Sequence, residues 1–102
     1  MNVVINDKEL LKLYQTGKSS KFRLTDDIIA KFFMRIQTIA ASVNIYDFWK
    51  DPAIKFEKLK GFENRYSKRL NNKYRLEIEI VWENDEKTEG IFYLKDISTH
   101  YK

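Results

Sequence analysis

The spacing of apolar residues changes once along the chain, from a helical period in the first half to a strand period in the second. From Ile28 to Val43, apolar residues recur at steps of three and four, which predicts an amphipathic helix that ends near Ser42. Thr25 stands directly before this segment, in the position and with the side chain that are typical of a helix N-cap.

A shorter helix is predicted over residues 7–16. We expect Asn6 to be its N-cap, because Glu9 follows three residues later, at the spacing of a capping box. Gly17 is expected to end the helix in the left-handed conformation. Residues 2–5 form a short apolar run, which predicts an edge strand.

After Pro52 the pattern becomes that of a sheet. Charged and apolar residues alternate over residues 73–82, as in a half-buried antiparallel strand. Residues 90–97 are apolar on both faces, which predicts an internal strand. Residues 55–60 also form a strand, but its apolar residues are three apart, so we expect a bulge near Lys58.

The length of the loop around residues 71–73 decides which side chains share a face of the hairpin. A two-residue loop would put Leu70 on the charged face, whereas a three-residue loop puts it in the core. We expect the longer loop, because burying leucine is favourable. This register places Arg69 beside Arg75 on the open face, and it puts Lys68 on the core side with its ammonium group reaching the edge.

The order of elements, a strand, two helices and then a meander, predicts an α+β fold with the two N-terminal helices on one face of a small antiparallel sheet. A chain of 102 residues with 43% hydrophobic content fits a single domain over residues 1–102. The chain has no cysteine and one histidine, so we expect no metal site and no cofactor. It has no signal peptide and no apolar run near the ~20 residues of a membrane span, so we expect a cytoplasmic protein without a membrane partner.

Positive charge is concentrated in residues 55–75. This segment holds eight basic and two acidic residues, a charge of +6 in a chain whose net charge is +4. Aromatic residues are interleaved with the cations, and this combination suits the phosphates and bases of a nucleic acid. A solvated sheet face is the alternative interpretation. The open face is predicted to carry the following polar residues: Glu57, Lys60, Ser67, Arg69 and Arg75.

One class of reaction fits this set of side chains, the cleavage of an RNA backbone by the ribose 2′-OH. The substrate brings its own nucleophile, so the protein has to move two protons and stabilise a dianionic phosphorane. Arginines supply the positive charge, and His100 is the natural general acid. Each candidate also has a structural interpretation: Arg75 can pair with Glu77, Lys60 can be a strand-end lysine, and His100 can be a solvated tail residue.

Four short motifs, in order along the chain, resemble HigB-type toxins of the RelE/ParE superfamily. They are LxxLYxTG at residues 10–17, FEKLKG at 56–61, RYSKRLNNKYRLEIEI at 65–80 and DISTHY at 96–101. The resemblance implies a RelE-like fold and the toxin of a type II toxin–antitoxin system. It also implies a ribosome-dependent mRNA endoribonuclease that inhibits translation, whose partners are the ribosome, its mRNA and a helix-turn-helix antitoxin.

The same resemblance implies a site. Lys60 matches the family's catalytic lysine, Arg75 the arginine after the hairpin, and His100 with Tyr101 the terminal pair. Glu57 stands where some members have histidine, and the terminal order is reversed relative to some members, so the acid and base roles stay open. Contacts to RNA phosphates are expected from five further residues: Lys58, Arg69, Lys73, Lys31 and Arg35. Lys18, Lys21 and Arg23 are expected to add backbone contacts, and Asp96 can match an acidic residue of the final segment.

Two other functions remain open at the level of sequence. A ParE-like inhibitor of DNA gyrase would belong to the same superfamily, but an inhibitor needs no acid–base set of residues. A non-enzymatic nucleic-acid-binding module would use the basic segment alone and would bind RNA in a strongly salt-dependent way.

Overall fold

The computed structural model of the protein describes residues 1–48 and 56–99. In chain order the elements are β1 (Val3–Ile5), α1 (Lys8–Thr16), α2 (Asp26–Ala41), a 3-10 turn (Ile45–Asp47), β2 (Glu57–Lys58), β3 (Arg65–Arg69), β4 (Tyr74–Trp82) and β5 (Gly90–Thr99). Neither helix in this part of the chain is long and apolar enough to cross a membrane.

The five strands form one open sheet in the order β1-β5-β4-β3-β2. Strand β5 is therefore internal and β1 lies at an edge, as the apolar patterns predicted. Three strand pairs are antiparallel, and β1 pairs with β5 in parallel. The parallel pair is possible because the whole helical region separates these two strands in the chain. The prediction of an antiparallel sheet is thus confirmed for all but this edge strand.

Buried residues of both helices and of the sheet form one core, which confirms that the helices cover one face of the sheet. Helix α2 contributes four residues at helical spacing: Ile28, Phe32, Ile36 and Ile39. Thr25 takes the predicted N-cap position, but its hydroxyl makes no capping bond to the backbone and donates to the Asp27 carboxylate. This hydrogen bond holds the pKa of Asp27 below its ordinary value.

The predicted cap of α1 is wrong by one residue. Asp7, and not Asn6, is the N-cap, and its carboxylate accepts hydrogen bonds from two backbone N–H groups at 2.9 and 3.0 Å. The Glu9 carboxylate does not close a capping box, because it accepts a hydrogen bond from the Ser19 hydroxyl at 2.9 Å. Gly17 ends the helix with φ = 74°, as predicted.

The hairpin between β3 and β4 has the predicted three-residue loop. Arg69 lies opposite Arg75 in the ladder, and the Leu70 backbone N–H donates to the Tyr74 carbonyl at 2.9 Å. The Asn71 side-chain oxygen fixes the loop by accepting two backbone hydrogen bonds, at 2.8 and 2.7 Å. Leu70 is buried, so the argument from leucine burial gave the right register.

Two local predictions about the sheet are wrong. Lys68 does not extend to the edge: it is fully buried, and its Nζ lies 4.1 Å from the centroid of the Phe48 ring, whose face attracts a cation. No bulge occurs at Lys58, because Glu57 and Lys58 pair with β3 in a regular register. The Leu59 backbone N–H then donates a further hydrogen bond to the Arg65 carbonyl. The first residue of the predicted strand, Lys55, lies outside the described residues.

A bulge does occur in β5. The register with β4 shifts between Glu77 and Ile78, so that Lys95 is an extra residue in β5. As a result Leu94 and Ile97, three residues apart, are both buried. Beyond the bulge, Ser98 lies opposite Arg75 on the open face of the sheet.

Candidate active site

A cleft of about 430 Å³ opens on the face of the sheet that the helices leave uncovered. Strand β2 and the connection after it form one wall, and β3 and β4 form the floor. We call this the β2 cleft, and its lining residues are Glu57, Lys58, Leu59, Lys60, Phe62, Ser67, Arg75 and Glu77. The structure therefore brings Lys60 and Arg75 together, although fifteen positions separate them in the sequence.

Arg75 is held in place by a chain of hydrogen bonds. Its Nε donates to the Ser98 hydroxyl oxygen at 3.3 Å, and that hydroxyl donates to Glu77 Oε2 at 2.6 Å. The other carboxylate oxygen of Glu77 lies 3.4 Å from Nη1 of Arg65. A half-buried arginine oriented in this way is suited to bind a phosphate, because its planar group is positioned before the ligand arrives.

The electrostatic balance of the β2 cleft is positive. One carboxylate, Glu77, is shared by Arg65 and, through Ser98, by Arg75. The Arg65 and Glu77 side chains are only 21% and 16% exposed, so solvent screens this pair less than it screens a surface ion pair. Lys58 and Lys60 add two further cations to the lining, and Glu57 one carboxylate.

Lys60 and the residue after it form the rim. Lys60 is exposed, and Gly61 follows with φ = 84°, in the left-handed region that L side chains rarely adopt. This turn directs the chain across the mouth of the cleft, where Phe62 joins the lining. The position after β2 is consistent with a strand-end lysine, but the lining of the cleft also gives Lys60 access to a ligand bound beside Arg75.

Three of the predicted phosphate contacts lie elsewhere, in a second cleft of about 470 Å³ between α2 and the hairpin. We call it the hairpin cleft, and it is lined by Lys31, Met34, Arg35, Arg69, Leu70, Asn71 and Asn72. Arg35 Nε donates to the Arg69 carbonyl at 2.9 Å. Lys73 lines neither cleft: it is exposed in the loop, with its Nζ 5.3 Å from the Tyr74 ring centroid.

Comparison with known proteins finds a similarity in structure but none in sequence. The sequence matches no family model and no curated protein. The structure is similar to a YoeB/ParE toxin from Agrobacterium tumefaciens, with a TM-score of 0.62 and 16% sequence identity, over 99% of this chain and 100% of that one. The chain has the fold of this toxin. The predicted α+β, RelE-like arrangement is therefore confirmed, while the HigB-type resemblance stays a prediction.

The remaining predicted residues that the structure describes lie outside the lining of the β2 cleft. His100 and Tyr101 lie outside the described residues, and Thr99, the last one described, is the ladder partner of Tyr74. Lys21 and Arg23 line a third cleft together with Tyr74 and Asp96. Lys18 is exposed near the start of the same loop.

Four residues that matter for the geometry were not singled out by the sequence: Arg65, Phe62, Glu77 as a shared acceptor, and Ser98. Ser98 lies within the DISTHY motif, but its place opposite Arg75 depends on the extra residue Lys95, which no periodicity signals. Glu77 could have been found from the hairpin register, because that register already sets it opposite Ser67.

Proposed function

We propose that this protein is the toxin of a type II toxin–antitoxin system and a ribosome-dependent mRNA endoribonuclease. The fold shared with a YoeB/ParE toxin supports the first part. The second part rests on one observation, the convergence of Lys58, Lys60 and Arg75 on the lining of the β2 cleft. Three cations around one cleft form a site for a phosphodiester.

In the proposed reaction, the scissile phosphate binds between Lys60 and Arg75. The 2′-oxygen forms a bond to phosphorus, and the bond from phosphorus to the 5′-oxygen breaks, which leaves a 2′,3′-cyclic phosphate and a free 5′-hydroxyl. Arg75 is oriented by Ser98 before the substrate binds, so it stabilises the phosphorane with little reorganisation.

Two proton transfers complete the reaction. Glu57 lines the β2 cleft at the position where some HigB-type toxins have histidine, and its carboxylate is our candidate to accept the proton of the 2′-hydroxyl. His100 and Tyr101 are the candidates to protonate the leaving 5′-oxygen, as the resemblance implies. No metal or cofactor takes part in this scheme.

The partners follow from the same proposal. A helix-turn-helix antitoxin would neutralise the toxin, and the ribosome would orient the mRNA in the cytoplasm. The hairpin cleft, with Lys31, Arg35 and Arg69, is a second cationic surface that can contact the phosphates of ribosomal RNA. Such contacts would make the binding of ribosomes weaker at higher salt.

Primer extension on a defined message in a cell-free translation reaction tests the proposal. The reactions contain the wild type, Arg75→Ala, or the wild type without ribosomes, and Lys12→Ala serves as a control because Lys12 is an exposed cation of α1. We expect breaks inside codons that require both ribosomes and Arg75, and that Lys12→Ala preserves.

Intact messages in every reaction would overturn the ribonuclease proposal. Inhibition of DNA supercoiling by gyrase would then indicate the gyrase-directed function. Salt-dependent RNA binding without growth arrest on induction would instead indicate a binding module.

A further inference from the structure

Phe62 and Arg65 form a small structure at the mouth of the β2 cleft that the proposed phosphate chemistry does not use. We propose that they are a subsite for one unpaired nucleobase, which stacks on the Phe62 ring beside the phosphate site. This inference rests on the proposed RNA substrate and extends it to the part of RNA that the cations do not bind.

The position of the ring is the first observation. Phe62 is 52% exposed, and it lines the same cleft as Lys60 and Arg75. A single exposed apolar residue is common on protein surfaces and by itself indicates nothing. Here the exposed ring belongs to a lining that also carries three cations and two carboxylates, and among the described residues it is the one aromatic ring in that lining.

The second observation is that the ring is supported. The guanidinium carbon of Arg65 lies 4.7 Å from the centroid of the Phe62 ring, in cation–π contact. Arg65 is in turn bound to Glu77, the carboxylate that also orders Arg75 through Ser98. One carboxylate therefore positions both the phosphate-binding arginine and the support of the ring. This arrangement reduces the entropy lost when a base stacks on the ring.

The chemistry of the β2 cleft favours a nucleotide over other ligands. An apolar protein segment would cover Phe62 but leave Lys58, Lys60 and Arg75 without anions. A nucleotide of a single strand offers a phosphate for the cations and a ring face for the phenylalanine. A paired base inside a duplex is already stacked and cannot reach the ring. The cleft volume of about 430 Å³ lies within the roughly 300–1,000 Å³ of small-molecule sites.

Stacking on phenylalanine is tolerant of base identity, because every base has a π-face and the ring has no hydrogen-bonding group. The subsite should therefore select unpaired over paired RNA without selecting one base. Any codon preference of the proposed reaction would have to come from other contacts.

The test measures binding of the full protein to a short single-stranded RNA at low salt. The RNA carries 2′-deoxy nucleotides throughout its central positions, so the 2′-OH reaction cannot occur and binding is read alone. Phe62→Ala is expected to weaken binding by roughly 5- to 150-fold, the range of one base–aromatic stack. Phe62→Trp should keep the affinity, while Phe62→Leu, which is apolar but has no ring, should lose it.

Abasic substitution identifies the ligand as a base. On a strand of the same length that lacks all its bases, wild type and Phe62→Ala are expected to bind equally well, because the phosphates remain and no base can stack on the ring. A duplex of the same sequence should show no dependence on Phe62. Because the ring is exposed, thermal unfolding of the three variants should match that of the wild type.

The inference is overturned if Phe62→Ala binds like the wild type, if Phe62→Leu is as good as Phe62→Trp, or if the loss persists on the strand without bases. A loss of antitoxin binding without a loss of RNA binding would assign Phe62 to a protein interface and also overturn it. These readouts do not depend on cleavage. Absence of cleavage in the translation assay would remove the proposed nuclease activity without deciding the stacking result.

Discussion

Arg75 Nε donates a hydrogen bond to the Ser98 hydroxyl across strands β4 and β5, at 3.3 Å. Because the same hydroxyl donates to Glu77, Ser98 connects a cation and an anion that lie on one strand two residues apart. The orientation of Arg75 therefore depends on a residue near the end of the chain, after the bulge in β5.

Ser98→Ala should slow RNA cleavage by roughly 10- to 150-fold, because the charged guanidinium group of Arg75 loses one hydrogen bond worth about 1.5–3 kcal/mol. Ser98→Thr keeps the hydroxyl and should restore most of the rate. The measurement is the single-turnover rate on programmed ribosomes, with the melting temperature as a control for folding. Equal rates for Ser98→Ala and the wild type would show that Arg75 does not need this bond.

Glu77→Ala should destabilise the protein by about 1–3 kcal/mol, since it removes the shared acceptor of Arg65 and Ser98. Glu77→Gln keeps an oxygen for Ser98 and should cost less. Urea unfolding measures both, and Glu83→Gln is the control because Glu83 is exposed at the end of β4. A Glu77→Ala protein as stable as the Glu83 control would contradict the role assigned to this carboxylate.

Gly61→Ala and Gly17→Ala form a matched pair. Both glycines have a left-handed φ, 84° and 74°, and a Cβ at either position meets no atom within 4 Å. Each substitution should therefore lower stability by a similar amount, about 1–2 kcal/mol. Only Gly61→Ala should also impair cleavage, because the turn at Gly61 positions Lys60 and Phe62. Equal activity of the two variants would remove that turn from the site.

Thr25→Val should raise the pKa of Asp27 towards its ordinary value, because the Thr25 hydroxyl is the main cause of the depression. A depressed folded-state pKa contributes stability above the unfolded value of about 3.9, and this contribution is lost as the pH falls through the folded value. The difference in unfolding free energy between the wild type and Thr25→Val should therefore be larger at pH 6 than at pH 2. NMR titration of the Asp27 carboxyl gives the pKa directly, and an unchanged value in the variant would refute the assignment.

Tyr66→Phe tests a pKa shift that affects stability at high pH. Tyr66 is buried, and this burial raises the pKa of its phenol above its ordinary value near 10. A raised folded-state pKa means that the stability contribution is complete below pH 10 and decreases as the pH rises through the folded value. Tyr66→Phe should therefore lose less stability than the wild type between pH 9 and pH 11. An equal loss of unfolding free energy in the two proteins between pH 9 and pH 11 would contradict the expectation.

The sequence predicted the β3–β4 register, and with it the pairing of Arg69 and Arg75, because leucine burial distinguishes clearly between the two loop lengths. The convergence of Lys60 and Arg75 then followed from the order of the strands. These predictions rest on large differences in buried apolar surface. Such differences can be read from the alternation of apolar and polar residues along the strands.

The features that sequence missed rest on smaller or more distant effects. Asn6 and Asp7 have nearly equal preference for an N-cap, so a spacing rule could not choose between them. The burial of Lys68 depends on Phe48, twenty positions earlier in the chain. The extra residue in β5 has no signature in composition, and yet it places Ser98 on the face of Arg75.

The hydrogen bond from Arg35 Nε to the Arg69 carbonyl also bears on the outer edge of strand β3. Among the described residues, β2 pairs with Ser67 and Tyr66 of β3, and the Arg69 carbonyl beyond them accepts its hydrogen bond from a side chain of helix α2. An open strand edge is a template for the strand of another molecule, and a charged group over it prevents such pairing. Helix α2 thus occupies this carbonyl of β3 with one arginine, so that the carbonyl is not offered to the strand of another molecule.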